Sequence, residues 1–136
     1  MSEASEAKYA ATEQPPATGT EAEGVGILAV PATAAGMPPT AQGLFAVVNS
    51  NGALARGFGA VSSTRLAVGQ YQVVFIQNIT RSAFTATLGL TGSVGASPPG
   101  EIAVVGRAGV PNGVFVQTWN SAGTPADRAF HLHVSS

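Results

Sequence analysis

Two histidines, His131 and His133, stand two apart near the end of the sequence, and the chain has no others. In an extended strand, residues i and i+2 share a face and lie about 6 to 7 Å apart. Two neutral imidazoles at that step can begin a metal site, but a complete one needs further imidazoles, carboxylates or thiolates. From residue 43 onward the only carboxylate side chains are Glu101 and Asp127, and the chain has no cysteine. Within one chain the pair is therefore expected to hold no metal, and no cofactor is expected. Symmetry leaves one route open, because in a trimer each histidine can meet two copies of itself on the axis. The same shortage of partners bears on catalysis. A Ser/His/Asp set can be drawn only from Asp127 and either histidine, with no Gly-x-Ser-x-Gly elbow to expose a nucleophile. Glu101 and Asp127 are the one carboxylate pair after residue 42 that could flank a glycosidic bond. Gly24-Val25-Gly26 lacks the third glycine of a nucleotide-binding loop. These patterns point away from an enzyme.

The elements that must carry these residues are short and extended. From Gly43 the pattern has period two, with strands expected at 44–49, 53–59, 60–68, 71–78, 82–90, 101–107, 114–119 and 129–134. Asn51-Gly52 and Val110-Pro111-Asn112-Gly113 read as turns, and Thr91–Gly100 as a long Gly/Ser/Pro loop. No segment after residue 42 sustains a helical repeat free of Gly and Pro. Seven or eight short strands at turn spacings of about 8 to 12 residues predict an all-β fold, an antiparallel β-sandwich or jelly-roll. In the last strand, Phe130, Leu132 and Val134 should face the core and the two histidines the other side. In SAFTATLGL, Phe84, Ala86 and Leu88 should oppose Thr85 and Thr87. Asp127 should tie its loop by accepting backbone N–H bonds, or pair with an arginine.

Composition divides the chain at residue 42. Residues 1–42 are acidic and rich in Ala and Pro, which reads as an extended arm, with a short apolar run at 25–30 stopped by Pro31. Five glutamates against Lys8 give the first 23 residues a charge of −4. The rest holds Arg56, Arg65, Arg81, Arg107 and Arg128, and the first four are expected to keep their heads in solvent or pair at an interface. Five scattered arginines are not a nucleic-acid footprint. No stretch has the apolar length to span a bilayer, and the N-terminus lacks the charged-then-apolar pattern of a signal peptide. Synthesis in the cytoplasm is the expectation, with a place in a virion or extracellular assembly compatible with it.

Only 10% of residues are charged, well below the roughly 25% usual for soluble domains. Such a surface is either covered by small polar residues or hidden against other chains. Two strands are apolar on both faces. In YQVVFIQN, Val74 and Ile76 oppose Tyr71, Val73 and Phe75. In VFVQTW, Val114 and Val116 oppose Phe115 and Trp119. A two-layer sandwich needs one apolar face per strand, so the outer face should be covered by the arm or by another subunit. Val74, Ile76, Val114 and Val116 are the expected contact residues of a symmetric homo-oligomer. The competing expectation is a carbohydrate- or receptor-binding module that uses loops 91–100 and 120–128, with Ser97, Trp119 and Asn120 as ligand contacts.

The order GQYQVVFIQNIT, then AFTATLGL, then NGVFVQTWNSAGTPADRAFHLHV resembles a pattern of phage and prophage tail-fibre tip domains and related short bacterial proteins. Gly69, Tyr71, Val73, Phe75, Phe115, Thr118, Asn120, Gly123, Asp127, Phe130 and Val134 carry the likeness, over about residues 43–136. It implies a β-sandwich, often trimeric, that binds a surface or builds an assembly. The arm would then dock on a neighbour or on the larger structure.

Overall fold

The computed structural model describes residues 14–17 and 43–136. The apolar run at 25–30, the Gly24-Val25-Gly26 motif and most of the expected arm lie outside the described residues. The described chain is all-β: β1 (Gly43–Val48), β2 (Leu54–Phe58), β3 (Ala60–Ala67), β4 (Gln70–Phe75), β5 (Ala83–Leu88), β6 (Glu101–Gly106), β7 (Gly113–Trp119) and β8 (Phe130–Ser135). They form two antiparallel four-stranded sheets, ordered β2-β1-β8-β5 and β3-β4-β7-β6. The predicted β-sandwich is therefore present, with eight strands. Three connections are hairpins within a sheet (β1–β2, β3–β4, β6–β7), and the other four cross between sheets.

Alternation decides what each strand buries. Leu44, Ala46 and Val48 of β1 meet Phe130, Leu132 and Val134 of β8 in register, Ala46 opposite Leu132. From the other sheet come Tyr71, Val73 and Phe75 of β4 with Val114 and Val116 of β7, and all of these are buried. Phe84 and Ala86 pack against this cluster from β5. The Tyr71 and Phe130 rings join the two sheets edge to face, with centroids 5.1 Å apart and planes at 63°, an arrangement worth about 1 kcal/mol beyond the area it buries.

Two glycines make the tight passages. Gly59 turns the chain from one sheet to the other at φ +75°, and a Cβ there would lie 2.5 Å from Leu44 Cδ2. Gly69, at φ +66° in the β3–β4 turn, has Thr118 carbonyl oxygen 2.4 Å from where its Cβ would be. Neither position admits a side chain.

One end of the sandwich gathers the β1–β2, β3–β4, β5–β6 and β7–β8 loops. There Asp127 accepts the Gly69 N–H at 2.8 Å and pairs with Arg65 Nε at 2.9 Å. Tyr71 donates its hydroxyl proton to the Ser50 carbonyl at 2.7 Å and accepts the Arg128 N–H at 3.2 Å. Thr118 Oγ1 donates to the Ala126 carbonyl at 2.6 Å. Asp127 thus makes the arginine pairing, the alternative expectation, and the backbone N–H it accepts belongs to the β3–β4 turn and not to its own loop. Burial pushes the Tyr71 hydroxyl up to about 12, with the negative charge of Asp127 adding to it. For Asp127, burial acts upward, but the Gly69 N–H and the Arg65 guanidinium outweigh it and hold the carboxyl below its usual value.

Candidate functional site

The outward positions of the β2-β1-β8-β5 sheet line up in rows across four strands. Phe58, Phe45, His133 and Thr85 form one row. Arg56, Val47, His131 and Thr87 form the next. These rows follow from alternation: once Leu44, Ala46 and Val48 turn inward, Phe45 and Val47 must turn outward. Phe45 is 40% exposed and Phe58 47%. Val47, flanked by Arg56 and His131, forms the floor of a shallow depression of about 400 Å³ walled by both histidines, Arg56, Thr85 and Thr87.

His131 and His133 share this outer face, as their spacing predicts, but their rings lean apart. His131 Nε2 stands 3.0 Å from the Leu90 carbonyl oxygen. A carbonyl only accepts, so this nitrogen carries a proton and donates. Gly89 makes room for the ring, since a Cβ there would lie 3.1 Å from His131 Cδ2. The His133 ring lies over Gly43 at the opposite end of the strand, with Nε2 3.2 Å from where a Gly43 Cβ would be. Rings that diverge along the strand do not converge on one ion. Among the described residues no three His, Cys, Asp or Glu side chains come together as a metal site. Arg56 Nη1 donates to the Thr91 carbonyl at 2.6 Å, and Thr91 Oγ1 donates to Asn49 Oδ1 at 3.0 Å. Arg56 and His131 together fasten the start of the β5–β6 loop over the rim of this face. No carboxylate lines the depression, whose polar groups are the two imidazoles, the Arg56 guanidinium and the hydroxyls of Thr85 and Thr87.

The expected contact residues fall elsewhere. Val114 and Val116 are fully buried between the two sheets, which corrects their placement on an outer face. Alternation shows which residues of β7 share a side but not which side is inward. The register settles it by setting Val116 opposite Tyr71 and Val114 opposite Val73. Phe115, on the other side of β7, is the outward residue. Val74 does face outward, yet it is 2% exposed and leaves a neighbouring chain almost nothing to touch. Ile76 is half-buried just past the end of β4.

Over Phe115 the outer face of this second sheet is covered by the chain itself, whereas Val105, beside it on edge strand β6, is 52% exposed. Arg107, 4% exposed, lays its guanidinium over the Phe115 ring, 5.9 Å from its centroid, and bonds Gln72 Oε1 through Nε. Gln14 and Pro15 close over Arg107 from outside: Nη1 donates to Gln14 Oε1 at 3.0 Å and to the Pro15 carbonyl. Expected in solvent or paired at an interface, Arg107 is instead buried against its own chain. Its burial comes from a contact 92 to 93 residues distant in sequence, which no local pattern announces.

The loops proposed to hold a ligand do meet at one end, where Arg128 Nε donates to the Pro99 carbonyl at 3.2 Å. Ser97 is exposed and lines a second depression with Pro98, Pro99 and Thr87. Asn120 is occupied locally, its Oδ1 accepting the N–H groups of Ala122 and Thr124 at 2.9 and 3.1 Å. Trp119 is half-buried, paired with Glu101 and bridged to Pro125. The exposed Phe45 and Phe58 were missed by sequence reasoning, although LFAVVN is apolar on both faces by the same test that singled out β4 and β7.

No protein-family model, curated protein or solved structure matches the chain. Among the described residues no helix is long and apolar enough to cross a membrane.

Proposed function

We propose that the chain is a non-enzymatic assembly module that self-associates symmetrically through the outer face of the β2-β1-β8-β5 sheet, as a trimer in the reading the tail-fibre resemblance favours. The observation that carries this is the pair of neighbouring phenylalanines, Phe45 and Phe58, left 40% and 47% exposed on an open sheet face. Aromatic residues with an arginine beside them are the side chains enriched at the centres of protein interfaces. Arg56 is the one charged residue in the two rows, so little desolvation opposes closure. Copies related by a rotation axis through this face would also bring their histidines near one another.

Light scattering on the full chain tests the proposal. The wild type is expected at a multiple of 13.5 kDa, and Phe45→Glu with Phe58→Glu at the monomer mass with an unchanged circular dichroism spectrum. A monomeric wild type, or a double variant that keeps the wild-type mass, would overturn it. A second reading, a carbohydrate- or receptor-binding tip, is favoured by the meeting of loops 91–100 and 120–128 through Arg128 and Pro99. A glycan array probed with folded protein decides that reading, and silence removes it.

A further inference from the structure

We propose that the turn between β6 and β7 is a recognition site for a Gln-Pro peptide segment, and that residues 14–17 are its resident ligand. The inference stands independently of self-association. Strand β6 is an edge of its sheet, and the chain beyond an edge presents backbone groups open to a further strand. Here a side-chain carboxamide takes that place. Gln14 Nε2 donates to the Gly106 carbonyl at 2.9 Å, and Gln14 Oε1 accepts the Ala108 N–H at 2.7 Å. A peptide bond of an added strand offers the same donor and acceptor pair.

Arg107 lies between these two anchor residues and reads the segment a second time, bonding both Gln14 Oε1 and the Pro15 carbonyl. Pro15 and Pro16 restrict the backbone before docking, so little conformational entropy is lost on binding. Ala17 closes the contact, its Cβ 3.6 Å from where a Gly109 Cβ would be. Gly109 has φ +82°, and the turn beneath is self-supporting, with Val110 N–H bonded to the Arg107 carbonyl and Gly113 N–H to the Val110 carbonyl, both at 3.0 Å. The platform is thus built by the sandwich, and the segment binds to it.

The chemistry selects glutamine. Glutamate would place an acceptor against the Gly106 carbonyl, which also only accepts. Alanine would hand the exposed Gly106 C=O and Ala108 N–H to water, removing both bonds that fix the segment. The segment is joined to β1 through residues 18–42, so the same bonds can be made by the chain's own Gln14 or by the identical segment of a second copy.

Two measurements on the full chain test the site. Amide hydrogen exchange at Ala108 is expected to be about tenfold faster in Gln14→Ala than in the wild type, while Val110 and Gly113 exchange at unchanged rates. A fluorescent peptide of residues 10–20 is expected to bind the Gln14→Ala chain, whose site is vacated, about tenfold more tightly than does the same peptide carrying Gln14→Ala or Gln14→Glu. Equal exchange at Ala108 in the two proteins would overturn the proposal, as would equal binding of the three peptides or no binding of any.

Discussion

Phe45 and Phe115 occupy comparable places, each pointing away from the core on a central strand of its sheet. Phe45 is 40% exposed, and Phe115 is 2% exposed. The difference lies in what the chain brings to each face. Over Phe115 sits Arg107, held there by Gln72 and by Gln14 and Pro15. Over Phe45 the described chain brings only the rim contacts of Arg56 and His131 with the β5–β6 loop. An apolar outer face is thus not one kind of feature. The patch over Phe115 is completed within the chain, although Val105 beside it stays 52% exposed, and the patch around Phe45 is the surface proposed to be completed by a second copy.

Substitutions can break this contrast. The largest effect belongs to the core: Val116→Arg is expected to leave no cooperative unfolding transition, because an unpaired charge between the sheets costs several kcal/mol. Phe45→Arg at a low protein concentration should keep one. A Val116→Arg protein that still melts cooperatively would return that residue to an outer face. Next, Phe115→Ala is expected to lower the stability of dilute protein by about 3 kcal/mol and Phe45→Ala by less than about 1 kcal/mol. Equal losses in urea titrations would mean that the two faces are equally covered.

Two smaller effects probe the polar end that joins the sheets. Asp127→Asn is expected to cost about 1 kcal/mol near neutral pH, since a third of the carboxylate is exposed and solvent weakens its pairing with Arg65. Its carboxyl is held below the usual value, so its contribution is present above about pH 4 and is lost as the pH falls through the lowered folded-state value. The gap between wild type and Asp127→Asn should therefore shrink on acidification, and a gap that widens contradicts the arrangement. The Tyr71 hydroxyl, raised to about 12 in the fold, has the opposite sign: stability should fall between about pH 10 and pH 12. Tyr71→Phe should lack that particular loss when melting is followed across the alkaline range.

Much of the fold was legible because alternation is local. LFAVVN, AFTATLGL and AFHLHV place Leu44, Phe84 and Phe130 on one side of their strands, and the structure keeps each set together. Of the candidate site, the shared outer face of His131 and His133 was legible from their spacing. The divergence of their rings was not, because it depends on Gly43 and Gly89, which meet them only after strand pairing. The inward side of β7 was not legible either. VFVQTW is apolar on both faces, and only its register with β4 decides between Val116 and Phe115.

By itself the sequence determined that the chain after residue 42 would be short antiparallel strands, since period-two burial and turn residues act within a few positions. Tertiary structure alone decided which outward phenylalanine is covered, Phe115 and not Phe45. That outcome rests on contacts between residues some ninety positions apart, Gln14 and Pro15 with Arg107, and hydrogen bonds of that range leave no periodic trace in the sequence.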